Sequence, residues 1–428
     1  MKRIISKLIL FFILFLPLFP RDYKTELRNY VALGDSLTAG FQDGGLVVDF
    51  QIESFPALLA KQIGIPDFQQ PLVSQPGIPP TLQLISIFPQ IVILPKPGLG
   101  KPINLTLPRP YNNIGVPGAS AYDLLYRVTD FGGAHDLILR GLGTQLQQAI
   151  FLKPNLITLW IGNNDVLKAV MSGRVIEGIT LTPVSTFQQY FQAIVNALKS
   201  YTTAKLITAN VPDVTSIPFV TTVPIYVVNP TTGKPVLTPD GKYIYLIGPK
   251  GPLSPGDYVT LYGAAYIANK IGIPKELGGT GIPLPDGVVL DKDEISAIRD
   301  RANKINEIIS SISKQNDFPV FDINAFLKKI GSEGFYVGGV KLTTDFLTGG
   351  LFSLDAVHPS SLGYGILANE LIKIINEHYE YNIPLVNLYN FIVKGRKAKT
   401  QTYSIFLGED FKKLMLGGDI KDKLKDRD

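Results

Sequence analysis

The sequence has no cysteine and only three histidines, His135, His358 and His378. Without cysteine the chain forms no disulfide and carries no lipid on an N-terminal cysteine. The same scarcity leaves no His/Cys cluster for a transition metal. A basic body is missing too. Lys2, Arg3 and Lys7 give +3 at the start, residues 394–428 carry ten basic and six acidic residues, and the formal net +5 leaves −2 for residues 8–393. A nucleic-acid binder carries a basic face on its folded part, so that class is excluded. Neither a G-x-G-x-x-G nor a G-K-[ST] loop opens a helix, which removes the usual phosphate cradles. No internal repeat is evident.

What remains is a chain of 428 residues, 45% hydrophobic, ample for a buried core. Short apolar runs read as strands at Asn29–Leu33, Tyr111–Ile114, Leu156–Ile161, Lys205–Asn210 and Pro319–Asp322. Helical spacing alternates with them at Ser54–Ile63, Tyr122–Val128, Val184–Tyr201 and Asp291–Lys314. The last has a capping box in Asp291-Lys292-Asp293-Glu294 and an apolar face of Ile295, Ile298, Ala302, Ile305, Ile308 and Ile312. Alternating strands and helices call for one α/β domain, a parallel sheet of about five strands covered on both faces.

Proline marks what lies outside that sheet. Pro66–Pro117 and Pro212–Pro285 each hold twelve of the 32 prolines, and proline continues neither a helix nor a central ladder. The first insertion has no charged residue from Phe68 to Pro95. The second is rich in tyrosine and predicts a hairpin, with Tyr243–Ile247 turning through Gly248-Pro249-Lys250-Gly251 to a return near Tyr258–Leu261. Two readings stand for the insertions: an apolar cap or acyl-binding cleft over the site, or a small subdomain packed on itself. Residues 1–20 read as an export signal, a basic start followed by Leu8–Leu16, too short to span a bilayer. No small-x-small cleavage pattern follows, so retention as an anchor stays open. Periplasmic, cell-surface or secreted destinations all fit. The folded body is expected at 21–393 and a basic tail at 394–428. For that tail a solvated segment is the default, and attachment to an anionic membrane surface is the sharper alternative.

Four blocks carry chemistry. Gly34-Asp35-Ser36-Leu37 follows the first strand, so Ser36 stands at a strand's carboxyl end, the edge where open α/β sheets place their sites. Asn113–Ser120 is a glycine-bearing turn in which Gly118 offers a backbone N–H at close approach. Gly162-Asn163-Asn164-Asp165 follows the third strand, and the Asn164 amide is a second donor. Asp355-Ala356-Val357-His358-Pro359 puts a carboxylate three residues before an imidazole. A serine hydroxyl needs a positioned base to take its proton, and the base needs a partner that fixes its tautomer. Each residue also has a plain structural role: Ser36 or Asn164 as a helix cap, Asp35 as a turn acceptor, and Ser360 as the cap of a helix through Tyr379.

In this order the four blocks resemble the GDSL lipase/esterase (SGNH hydrolase) family. The resemblance runs from Tyr30 to about Tyr379, although the motifs fill little of that span. It implies a flavodoxin-like three-layer fold and a carboxylic ester hydrolase. Ser36 is then the nucleophile, His358 the base and Asp355 its partner, with Ser36 N–H, Gly118 N–H and Asn164 forming the oxyanion hole. No cofactor or metal is required. The partner is a small-molecule or lipid ester. Pro117 departs from the family by removing one N–H beside Gly118. Two rivals remain, an O-acetyl esterase on polysaccharide and an exported binding protein with an inactive site.

Overall fold

The computed structural model describes residues 21–86 and 91–398. The expected leader, and all of the expected tail beyond residue 398, lie outside the described residues. Five parallel strands form the central sheet: β1 (Tyr30–Gly34), β2 (Asn113–Gly115), β3 (Leu156–Trp160), β4 (Lys205–Ala209) and β5 (Val320–Phe321). Their order is β5-β4-β3-β1-β2, the flavodoxin-like arrangement in which the order reverses beside β1. β1 pairs on both sides, Ala32 facing Asn113 in β2 and Thr158 in β3.

Every residue of β1 and β3 is buried, because strands covered on both faces read as continuous apolar runs. Their side chains alternate between two cores. Val31, Leu33, Ile157 and Leu159 join one, and Tyr30, Ala32, Leu156 and Trp160 join the other. Seven helices matter for the site: α1 (Ser36–Ala39), α2 (Phe55–Ile63), α3 (Ala121–Tyr126), α4 (Asn164–Ser172), α5 (Val184–Tyr201), α6 (Lys292–Gln315) and α7 (Ser361–Tyr379). α5 and α6 cover the first face through Phe187, Phe191, Ile295 and Ile298. α2 and α7 cover the second through Phe55, Leu59, Tyr364 and Ile372.

The strands and long helices fall where the sequence places them, within a residue or two at each end. The capping box of α6 is present, with Asp291 and Glu294 bonding each other's backbone N–H. Its apolar face is corrected by one position: Ile309 is buried, while Ile308 packs only partly against the core. The hairpin of the second insertion also differs. Ile247–Gly248 pairs with Gly251–Pro252, and Tyr258–Val259 instead pairs with Val289–Leu290. The reason is local, since Asp257 accepts from the Ser254 N–H and hydroxyl in a turn that ends the hairpin before Tyr258. The first insertion contains an unanticipated hairpin, Leu82–Ser86 with Val92–Pro95. A helix at Tyr389–Ala398 crosses the expected boundary between body and tail. Among the described residues no helix is long and apolar enough to cross a membrane.

Candidate active site

The carboxyl ends of β1, β2 and β3 converge where the strand order reverses. At the end of β1, Asp35 caps α1 by accepting from Leu37 N–H at 3.0 Å, and Ser36 is the first helical residue. The cap is therefore Asp35, which leaves the Ser36 hydroxyl available. Asp35 is fully buried and also accepts from Asn163 Nδ2 at 2.8 Å. Burial pushes its carboxyl up to about 6, against the pull of those two donors.

The 350–360 loop brings the other two groups. His358 Nε2 lies 2.8 Å from Ser36 Oγ, and His358 Nδ1 lies 3.0 Å from Asp355 Oδ2. An ionised carboxylate only accepts, so Nδ1 carries the proton and Nε2 is left to accept from the serine hydroxyl. Asp355 Oδ1 accepts from Ser353 Oγ, Val357 N–H and His358 N–H, and Oδ2 also accepts from Gly44 N–H at 2.9 Å. Burial alone would raise this carboxyl. The facing imidazole and the donors around it outweigh burial and bring it down to about 2. Phe41 covers the imidazole, with ring centres 4.8 Å apart.

Gly118 follows β2 with φ of +81° and open space where a Cβ would stand. Asn164 opens α4, and its Nδ2 donates to Ala119 O at 3.0 Å, which ties it to the Gly118 turn. A side-chain amide has two N–H donors, so the second is left for the cavity. Ser36, Gly118, Asn164, Asp355 and His358, the five residues selected from sequence, all line one cavity of about 1160 Å³.

The family model described as GDSL-like lipase/acylhydrolase matches residues 30–371. The chain belongs to this family. Membership makes it a hydrolase of ester bonds.

Solved structures similar to this GDSL-like hydrolase include a lipase/acylhydrolase from Enterococcus faecalis, 13% identical, covering 83% of this chain and 98% of that one with a TM-score of 0.34. A catalytic mutant of an acetylxylan esterase from Geobacillus stearothermophilus is 12% identical, covers 81% and 93%, and has a TM-score of 0.35. An extracellular lipase from Streptomyces rimosus is 14% identical, covers 81% and 98%, and has a TM-score of 0.35. No curated protein matches the chain.

Several residues of this GDSL-like hydrolase were not singled out from sequence. Asp43 and Gly44 form a turn that holds the 350–360 loop, Asp43 Oδ1 accepting from Leu354 N–H at 2.8 Å and Gly44 N–H reaching Asp355. The signal was present, since Asp-Gly is a strong turn dipeptide. Nothing local said what the turn would grip. His135, the buried histidine away from the cavity, has its Nδ1 3.1 Å from Asp130 Oδ2. Val227, Leu246, Val259 and Leu284 form a core of their own, while residues of both insertions, Leu82 and Val227 among them, line the cavity.

Proposed function

We propose that the protein hydrolyses carboxylic esters through an acyl-enzyme on Ser36. The observation that carries this reading is the unbroken chain of hydrogen bonds from Asp355 through His358 to Ser36, at 3.0 and 2.8 Å. Ser36 Oγ attacks the ester carbonyl as its proton passes to His358 Nε2. The carbonyl oxygen takes the electron pair and is stabilised by Ser36 N–H, Gly118 N–H and the Asn164 amide. Each such donor is worth about 10²–10³ in rate. The carbon–oxygen bond to the alcohol then breaks, and His358 returns the proton to the departing alkoxide. Water attacks the acyl-enzyme, again losing its proton to His358, and the acid is released as Ser36 regains its hydrogen.

Asp355 supports this cycle by staying ionised. With its carboxyl near 2, it fixes the tautomer and stabilises the imidazolium that forms twice per turnover. The test is covalent and kinetic. A fluorophosphonate should label Ser36, and Ser36→Ala should lose labelling while kcat on simple esters falls by on the order of 10⁴ or more. An alanine variant that still turns esters over at the parent rate sinks the assignment.

A further inference from the structure

We infer that the ester cleaved at Ser36 carries a long unbranched acyl chain, held in the cavity between the sheet domain and its two proline-rich insertions. This rests on the hydrolytic reading above. At about 1160 Å³ the cavity exceeds the range of about 300–1,000 Å³ typical of small-molecule sites. An acetyl group leaves nearly all of it unfilled.

The wall chemistry selects the occupant. Among the described lining residues the only ionisable acid or base side chains, tyrosines aside, are Asp355 and His358, both already committed to Ser36. No lysine, arginine or glutamate is among the described residues that line it. A sugar or phosphate drawn inside would lose its water with few partners in return, which is costly. Elsewhere the wall is largely apolar, supplied by Leu82 and Ile93 of the first insertion, Leu246, Ile267 and Ile273 of the second, and Met171 of α4. Methylene groups are what such a wall favours.

The two-step chemistry decides which side of the ester enters. Between the steps the alcohol must leave while the acyl group stays bonded to Ser36 Oγ. A chamber walled by the body and both insertions suits the part that is retained, so the acyl chain lies inside and the alcohol faces the exit.

The experiment uses the purified full chain and two ester series kept below their aggregation limits. One has acyl groups from acetyl to dodecanoyl on a single alcohol, and the other has acetate esters of alcohols of the same lengths. In the acyl series kcat/KM should rise about fourfold per buried methylene, the equivalent of about 0.8 kcal/mol each. The alcohol series should rise far less. Ala264→Trp, on the exposed helix Gly263–Ala268, and Ile273→Trp both add bulk to the wall. Each should lower the dodecanoyl-to-acetyl ratio of kcat/KM by at least about tenfold. A flat acyl series with measurable acetyl turnover overturns the inference and leaves the hydrolytic reading intact, as does a rise confined to the alcohol series. Failure to turn over any ester, together with no fluorophosphonate label on Ser36, overturns the hydrolytic reading itself.

Discussion

Asp355 shows how much the proposed serine nucleophile depends on groups that never touch a substrate. Five donors converge on its two oxygens, and one of them, Gly44 N–H, comes from the far end of the chain. Asp43 grips the same loop from the adjacent position through Leu354 N–H. Asp43→Ala leaves that N–H without its acceptor, at a cost of about 1–3 kcal/mol if it stays buried. It also frees the loop that carries His358, and a small misplacement of a reacting group costs on the order of 10² in rate. The expected result is a kcat lower by about 10–10² with little change in KM, measured on one short ester, and a matching loss in fluorophosphonate labelling rate. Asp43→Asn keeps an acceptor for Leu354 N–H and should restore most of both rates. Equal losses in the two variants would remove Asp43 from any positioning role. The three groups of the proposed triad were legible in sequence because a nucleophile, a base and its partner are restricted to few residue types. Asp43 was not, because its role is set by a contact across 311 positions.

At the scale of elements, the position of Ser36 depends on how closely α1 lies against β2. A Cβ added at Gly115 would meet Ala39 N at 2.4 Å and the Thr38 carbonyl carbon at 2.7 Å. Both are backbone atoms and cannot swing aside. Gly115→Ala therefore has to push α1, and Ser36 with it, away from the sheet. Overpacking of this kind typically costs about 1–3 kcal/mol. A lower denaturation midpoint together with slower labelling of Ser36 is expected. A variant that loses stability but labels at the parent rate would mean that α1 moves without moving the hydroxyl. The same distinction between local pattern and close contact explains which elements could be read in advance. The long helices announced themselves by apolar spacing and by caps such as Asp291 with Glu294. The hairpin at Leu82–Ser86 and Val92–Pro95 did not, because Val92-Ile93-Leu94 is an unbroken apolar run and Leu84-Ile85 interrupts the alternation that marks a half-buried strand. In the second insertion the turn Gly248–Gly251 was legible, but its return strand was misplaced. The partner of Tyr258–Val259 is Val289–Leu290, some thirty residues on.

Over the whole molecule, three carboxyls, the buried Asp35 and Asp165 and the partly buried Asp43, make stability depend on pH in an unusual direction. Burial pushes Asp35, Asp43 and Asp165 each up to about 6, against hydrogen bonds that pull the other way. In the unfolded chain an aspartate titrates near 3.9. Between these values the folded state holds protons that the unfolded state has released, so stability falls as pH rises from about 4 through 6. Asp355 has the opposite sign: its carboxyl is held down to about 2, so its contribution is present above about 4 and is lost only as pH falls toward 2. Asp165 is the cleanest place to separate these effects. It accepts from Thr182 Oγ1 at 2.7 Å and from Ala121 N–H at 3.0 Å, and an asparagine can keep both bonds, its oxygen taking the N–H and its amide donating to the hydroxyl. A shift of about two units corresponds to about 3 kcal/mol at neutral pH. Denaturant unfolding at steps from pH 4.5 to 7.5 should show the parent protein losing stability with rising pH. Asp165→Asn should decline less steeply and be the more stable of the two at pH 7.5, with the gap closing toward pH 4.5. If the two curves run parallel across that window, Asp165 carries no proton into the folded state and the burial of its charge is offset elsewhere.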